Sequence, residues 1–135
     1  MLRSAFCVLK NGNRILLQLR DNKRGIANPG KWALLGGRLE VDETPLQGIK
    51  RELKEEVDCP IYNLFYVDKI KIKNYQNKDE TFFLFRGDVG REIKDINLFE
   101  GQRLEYFKFE DFTKLRFSEL LKDFLLKNKE KFFYF

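Results

Sequence analysis

Apolar residues along this chain change their spacing several times, and each change marks an element. Residues 4–9 and 14–19 are β-prone apolar runs on either side of Lys10-Asn11-Gly12-Asn13. The Asn-Gly step is a strong turn signal, so the two runs are expected to pair as a hairpin. Residues 21–31, with Gly25, Pro29 and Gly30, show no period and are expected to form a loop. The loop leads into a short apolar run at 32–35, which Gly36-Gly37 should end.

The spacing then becomes helical. Leu46, Ile49, Leu53 and Val57 recur at three- and four-residue steps and predict one buried stripe. Thr44 is the expected N-cap, Pro45 takes the first helical position, and Gln47 completes a capping box. Asp58-Cys59-Pro60 stops the helix. Gly48 costs a helix interior about 1 kcal/mol relative to alanine, which implies close packing against a neighbour. Residues 63–73 and 80–89 are strand candidates joined by a polar turn at 74–79, and 103–109 is a third. Phe117, Leu120, Leu121, Phe124 and Leu125 predict a second amphipathic helix beginning near Ser118. Strands and helices interleave without long βαβ repeats, so the expected class is α+β with a mixed or antiparallel sheet.

Composition narrows the chemistry. With 135 residues, 43% of them hydrophobic, the chain can bury one core as a single domain. Cys7 and Cys59 lie far apart and suggest neither a zinc site nor a disulfide framework, which favours a reducing cytoplasm. No apolar run approaches the ~20 residues that span a bilayer, and no export signal is visible, so no membrane partner is expected. The chain contains no histidine, which removes the usual general base and every Ser-His or Cys-His nucleophile pair. Catalysis must therefore use carboxylates, lysine, arginine or a hard metal. The net charge is +5, yet residues 36–58 hold seven acids and four bases. An acidic focus in a basic field suits a divalent cation with a polyanionic ligand. The bases are otherwise scattered and no nucleic-acid-binding motif accompanies them, so no specific nucleic acid is expected.

Helical spacing sets Glu52 one turn from both Glu55 and Glu56, giving three carboxylates one face. Each like-charge pair at i,i+4 costs an isolated helix roughly 0.2–0.5 kcal/mol, and the helix dipole disfavours acids in its C-terminal half. A bound Mg²⁺ or Mn²⁺ reverses the sign of that repulsion, because hard cations take oxygen ligands. A solvated face paired with Lys50, Arg51 and Lys54 is the other reading of the same glutamates.

The wider pattern favours the first. Gly37, five residues, Glu43, seven residues and then Arg51-Glu52-Leu53-Lys54-Glu55-Glu56 resembles the Nudix box at every charged position. The resemblance implies a mixed β-sheet sandwiched between helices. It also implies metal-dependent hydrolysis of a nucleoside diphosphate linked to another group: an oxidised deoxynucleoside triphosphate, a nucleotide sugar or ADP-ribose. By similarity, the Gly36 carbonyl with Glu52, Glu55 and Glu56 holds Mg²⁺, with Mn²⁺ as a substitute, while Glu43 and Arg51 support the loop and orient the glutamates. A catalytically silent nucleotide-sensing or protein-binding module is the alternative the family offers. Asp58 and Cys59 stand where the family usually has glycine and an apolar residue; Asp58 tolerates a left-handed C-cap at modest cost.

Glu100-Gly101-Gln102 resembles a segment of family members that cleave oxidised nucleoside triphosphates, which makes Glu100 the candidate fourth carboxylate and Glu105 its substitute. Arg20 and Arg38 flank the expected site as phosphate donors or as surface residues. Trp32, Tyr66, Phe83 and Phe85 stack on a base or fill the core. The apolar terminus from Lys131 to Phe135 covers a patch or serves a dimer contact, so monomer and homodimer both stay open.

Overall fold

A computed structural model describes residues 2–20, 30–98 and 103–134. The expected hairpin is present: strand β1 (Leu2–Asn11) turns at Gly12, whose φ is +65°, into β2 (Arg14–Leu19), antiparallel to it. After β3 (Trp32–Ala33), strand β4 (Leu35–Arg38) runs straight through Gly36-Gly37, so the glycines do not end the apolar run as expected. They lie inside a strand because β4 pairs with β1, Gly37 opposite Ala5 and Gly36 opposite Phe6. A Cβ on Gly36 would fall 2.1 Å from the Ala5 carbonyl oxygen. Bare backbone is what lets the strands close there.

Helix α1 (Pro45–Glu56) begins as its sequence dictates, with the Thr44 side chain accepting from Gln47 N and the Gln47 side chain accepting from Thr44 N. Its end differs. The cap is Val57 in extended conformation, and Val57–Asp58 forms the short strand β5, so no left-handed residue is needed at Asp58. Gly48 packs as expected: an added Cβ would meet Leu39 Cδ2 at 2.0 Å. Ile49, Leu53 and Val57 are buried, but Leu46 is exposed in the first turn, along a groove shared with Lys50 and Lys54.

Strands β6 (Ile61–Lys73) and β7 (Asp79–Val89) form a long antiparallel pair with register shifts near Asn63, where φ is +53°. Strand β8 (Asn97–Leu98) pairs with β5, and β9 (Arg103–Lys108) pairs with β2. Two 3₁₀ segments, Ile93–Asp95 and Phe109–Lys114, flank β8 and β9; α2 (Glu119–Lys127) and α3 (Lys129–Phe132) follow. Among the described residues the main sheet has seven strands, with β1 and β7 parallel and the other pairs antiparallel. The predicted α+β class, a mixed sheet between helices, is what the chain adopts.

Alternation along the strands divides the core in two. Ala5, Cys7, Leu9, Leu16 and Phe85 pack with Ile49, Leu53 and Val57 on the α1 face. Val8, Ile15, Leu17 and Leu84 pack with Phe117, Leu121 and Leu125 on the α2 face. The apolar terminus covers the chain's own core: Phe132 and Phe133 are buried beside Phe112, while Tyr134 stays exposed. Phe85 is likewise core, and Leu120 departs from the buried stripe because it lines a cavity.

Candidate active site

Arg51 gathers two acidic groups of α1 and one of the loop before it. Its guanidinium donates to both oxygens of Glu43, at 2.6 and 2.8 Å, to Glu52 at 3.0 Å, to Glu55 at 3.3 Å and to the Arg38 carbonyl at 3.1 Å. Glu43 in turn accepts from the Glu40 N–H, which ties the loop before the helix to the helix itself. These bonds, those from Arg51 first, lower the Glu43 pKa to about 2. The same pairing raises the Arg51 pKa above its already high value, so the guanidinium stays charged.

Glu52 and Glu56 turn toward β4. The Glu52 carboxylate lies so close to Gly37 that a Cβ there would sit 2.6 Å from its oxygen. Glu56 is buried and accepts from Gly36 N at 2.7 Å and from Gln18 Nε2 at 2.5 Å. Glu55 remains half exposed. The three carboxylates of α1 differ in setting: Glu56 is drawn under the strand, while Glu52 and Glu55 stay with Arg51. The donor set still fits a hard divalent cation. It is oxygen-only, adjoins the bare backbone of Gly36 and Gly37, and already holds together around a monocation, Arg51.

A cavity of about 450 Å³ opens beside these glycines. Phe6, Trp32, Phe82 and Phe117 give it aromatic walls, and Arg20 and Arg38 also line it. Its floor also carries a polar network that went unforeseen. Glu80 is buried and accepts from Ser4 Oγ, from Arg38 at 3.1 Å and from Asn74 at 3.0 Å. Of the aromatic candidates, Trp32 lines the cavity, packed edge-on against Phe107, whereas Tyr66 is an exposed residue packed against Phe83 and Phe85. Glu100 lies outside the described residues. Glu105 pairs with Leu17, which places it on the α2 face of the sheet.

The sequence profile of the NUDIX domain matches residues 1–127. The chain belongs to the Nudix family. It is a Nudix pyrophosphohydrolase, acting in general terms on nucleotide pyrophosphate bonds. Its sequence is 25% identical over 142 residues to "Nucleoside triphosphatase NudI" of an Enterobacter species, covering 87% of this chain and 95% of that protein. The Nudix fold is shared with the MutT protein of Methanosarcina mazei, at TM-score 0.77 and 22% identity over 96% of this chain and 93% of that one. The NUDIX domain of Shewanella oneidensis NrtR, solved with ADP ribose, superposes at TM-score 0.76 with 14% identity, covering 96% and 87% of the two chains.

Two groups of this Nudix site escaped the sequence reading: Gln18, and the Ser4, Asn74 and Glu80 set. Each is a polar residue within or beside a strand, and only the strand register shows which face it takes. A polar residue inside the apolar 14–19 run is the one signal that pointed to Gln18.

Proposed function

We propose that the protein hydrolyses a pyrophosphate bond of a nucleoside triphosphate, or of a nucleoside diphosphate joined to another group, with Mg²⁺ or Mn²⁺ held by Glu52, Glu55, Glu56 and the Gly36 carbonyl. The observation that carries this reading is the meeting of the α1 carboxylates with Gly36-Gly37, the strand segment that also lines the aromatic cavity. The cavity has the size and lining of a small-molecule site. The name of the Enterobacter relative and the ADP ribose bound to the Shewanella domain agree with a nucleotide ligand.

When bound, the metal supplies charge neutralisation at the phosphoryl oxygens and a more acidic water. The chain's own groups do the rest. Arg51 keeps Glu52 and Glu55 oriented, and Glu43 fixes Arg51. Arg20 and Arg38 present donors to phosphate oxygens along the cavity wall. A water oxygen bonds to phosphorus, the bridging P–O bond breaks, and an α1 carboxylate takes the proton released by the water. Glu100 remains the proposed fourth carboxylate.

A panel of nucleoside triphosphates, oxidised nucleotides, nucleotide sugars and ADP-ribose, assayed with Mg²⁺ for released phosphate or pyrophosphate, tests the proposal. Turnover of at least one class, abolished by EDTA and restored by Mg²⁺ or Mn²⁺, is expected. Nucleotide binding without turnover points instead to a sensing module, and hydrolysis undiminished in metal-free buffer overturns the metal assignment.

A further inference from the structure

Gln18 occupies a place where an apolar residue would be expected. It sits in β2 between Leu17 and Leu19, is only 4% exposed, and shares the α1 face of the strand with Leu16. A buried amide in such a strand is tolerated only when hydrogen-bonded. Gln18 spends its Nε2 donor on Glu56 at 2.5 Å, with a longer contact to the Leu34 carbonyl at 3.5 Å.

Glu56 needs that donor. It ends α1, where the helix dipole disfavours an acid, and it is 2% exposed, where water cannot solvate both oxygens. One oxygen accepts from Gly36 N at 2.7 Å and the other from Gln18. The two donors come from different strands, β4 and β2, and hold the carboxylate from outside the helix. Both are neutral, so the carboxylate is oriented by them without being neutralised by them.

We propose that Gln18 is a positioning residue of the metal site: its amide locks the Glu56 carboxylate beside Gly36 in the orientation that receives the cation. The inference rests on the metal-holding role proposed above and goes beyond it, because Gln18 lies outside the box and acts only through Glu56. Groups that orient metal ligands in this way typically matter about 10- to 100-fold in metal affinity or activity.

The test compares the full chain with Gln18→Met, which keeps the volume and loses the donor, and with Gln18→Asn, which keeps an amide one methylene too short to reach. Mn²⁺ binding is read by electron paramagnetic resonance without substrate, and kcat and KM are read separately on the best substrate of the panel. Leu16→Ala, which weakens the same buried face, serves as the structural control, measured well below its melting temperature. In each folded Gln18 variant, Mn²⁺ affinity and kcat are expected to fall about 10- to 100-fold with KM little changed, while Leu16→Ala keeps wild-type Mn²⁺ affinity. A folded Gln18 variant with wild-type Mn²⁺ affinity and kcat overturns the role, as does an equal loss of affinity in Leu16→Ala. Wild-type protein that binds no Mn²⁺ overturns the metal reading itself, a result distinct from either.

Discussion

Glu43 accepts from both Nε and Nη2 of Arg51, at 2.6 and 2.8 Å, across eight residues of chain. The planar guanidinium matches the carboxylate with two parallel bonds, so the loop before α1 and the middle of the helix are joined as one unit. Its strength depends on pH in a direction that can be worked out. Glu43 has its pKa lowered from 4.5 to about 2, so the folded state binds fewer protons than the unfolded chain in that window. The stabilisation is complete above about pH 4.5 and is lost as pH falls toward 2. In urea melts, the stability difference between wild type and Glu43→Gln is expected to be constant above pH 4.5 and to shrink below it. A difference that stays the same down to pH 3 contradicts this account.

The adjacent glycines of β4 should behave in opposite ways when changed to alanine. At Gly36, φ is +142° and the new Cβ would meet backbone atoms at 2.1 and 2.7 Å, which cannot yield. Gly36→Ala should cost about 3 kcal/mol or more, by strain and strand separation together. At Gly37 the three nearest atoms the Cβ would meet all belong to the Glu52 carboxylate, the movable end of a side chain. Gly37→Ala should keep a melting temperature near wild type and lose most of its kcat, because Glu52 is pushed aside. Calorimetry alongside steady-state kinetics separates the two.

Gly48→Ala is expected to destabilise even though alanine is the better helix former. The added methyl would lie 2.0 Å from Leu39 Cδ2 and 3.1 Å from Glu43 Oε1. Overpacking of this kind costs about 1–3 kcal/mol, more than the roughly 1 kcal/mol gained in propensity. A variant more stable than wild type in denaturant melts would show that Leu39 repacks freely.

The two last glutamates of α1 should separate in stability while sharing a loss of activity. Glu55 is half exposed and meets Arg51 at 3.3 Å, so Glu55→Gln should change apo stability by no more than about 0.5 kcal/mol. Glu56 takes a donor on each oxygen, and an amide offers only one acceptor. Glu56→Gln leaves one buried donor facing another and should cost about 1–3 kcal/mol in EDTA. Equal melting temperatures for the two variants would show that Glu56 is not held as described.

Sequence spacing made the helix and its acids legible because a helix places i, i+3 and i+4 neighbours without reference to the rest of the chain. The capping box at Thr44 and the tight packing at Gly48 were readable for the same local reason. What spacing did not convey was which partner each side chain meets across the sheet. Gln18 reaches Glu56 because it shares a strand face with Leu16, and Glu105 takes the opposite face because β2 pairs with β9 in one register and not in the register one residue removed. Leu46 shows the matching limit on helices: it shares the period of the buried stripe yet is exposed, and periodicity contains no information about coverage.

The pairing of β1 with β7 has a bearing on how the molecule is made. Leu2 stands opposite Glu80 and Lys10 opposite Asp88, in parallel. The strand at the centre of the sheet is therefore synthesised well before its inner neighbour, which follows only after α1 and β6 in the chain. Until then β1 has its local hairpin partner on one side and an open apolar edge on the other. Pairings this distant in sequence form slowly, and an unpaired apolar edge invites association with other chains. Whatever covers that edge during synthesis guards the chain against association before β7 arrives.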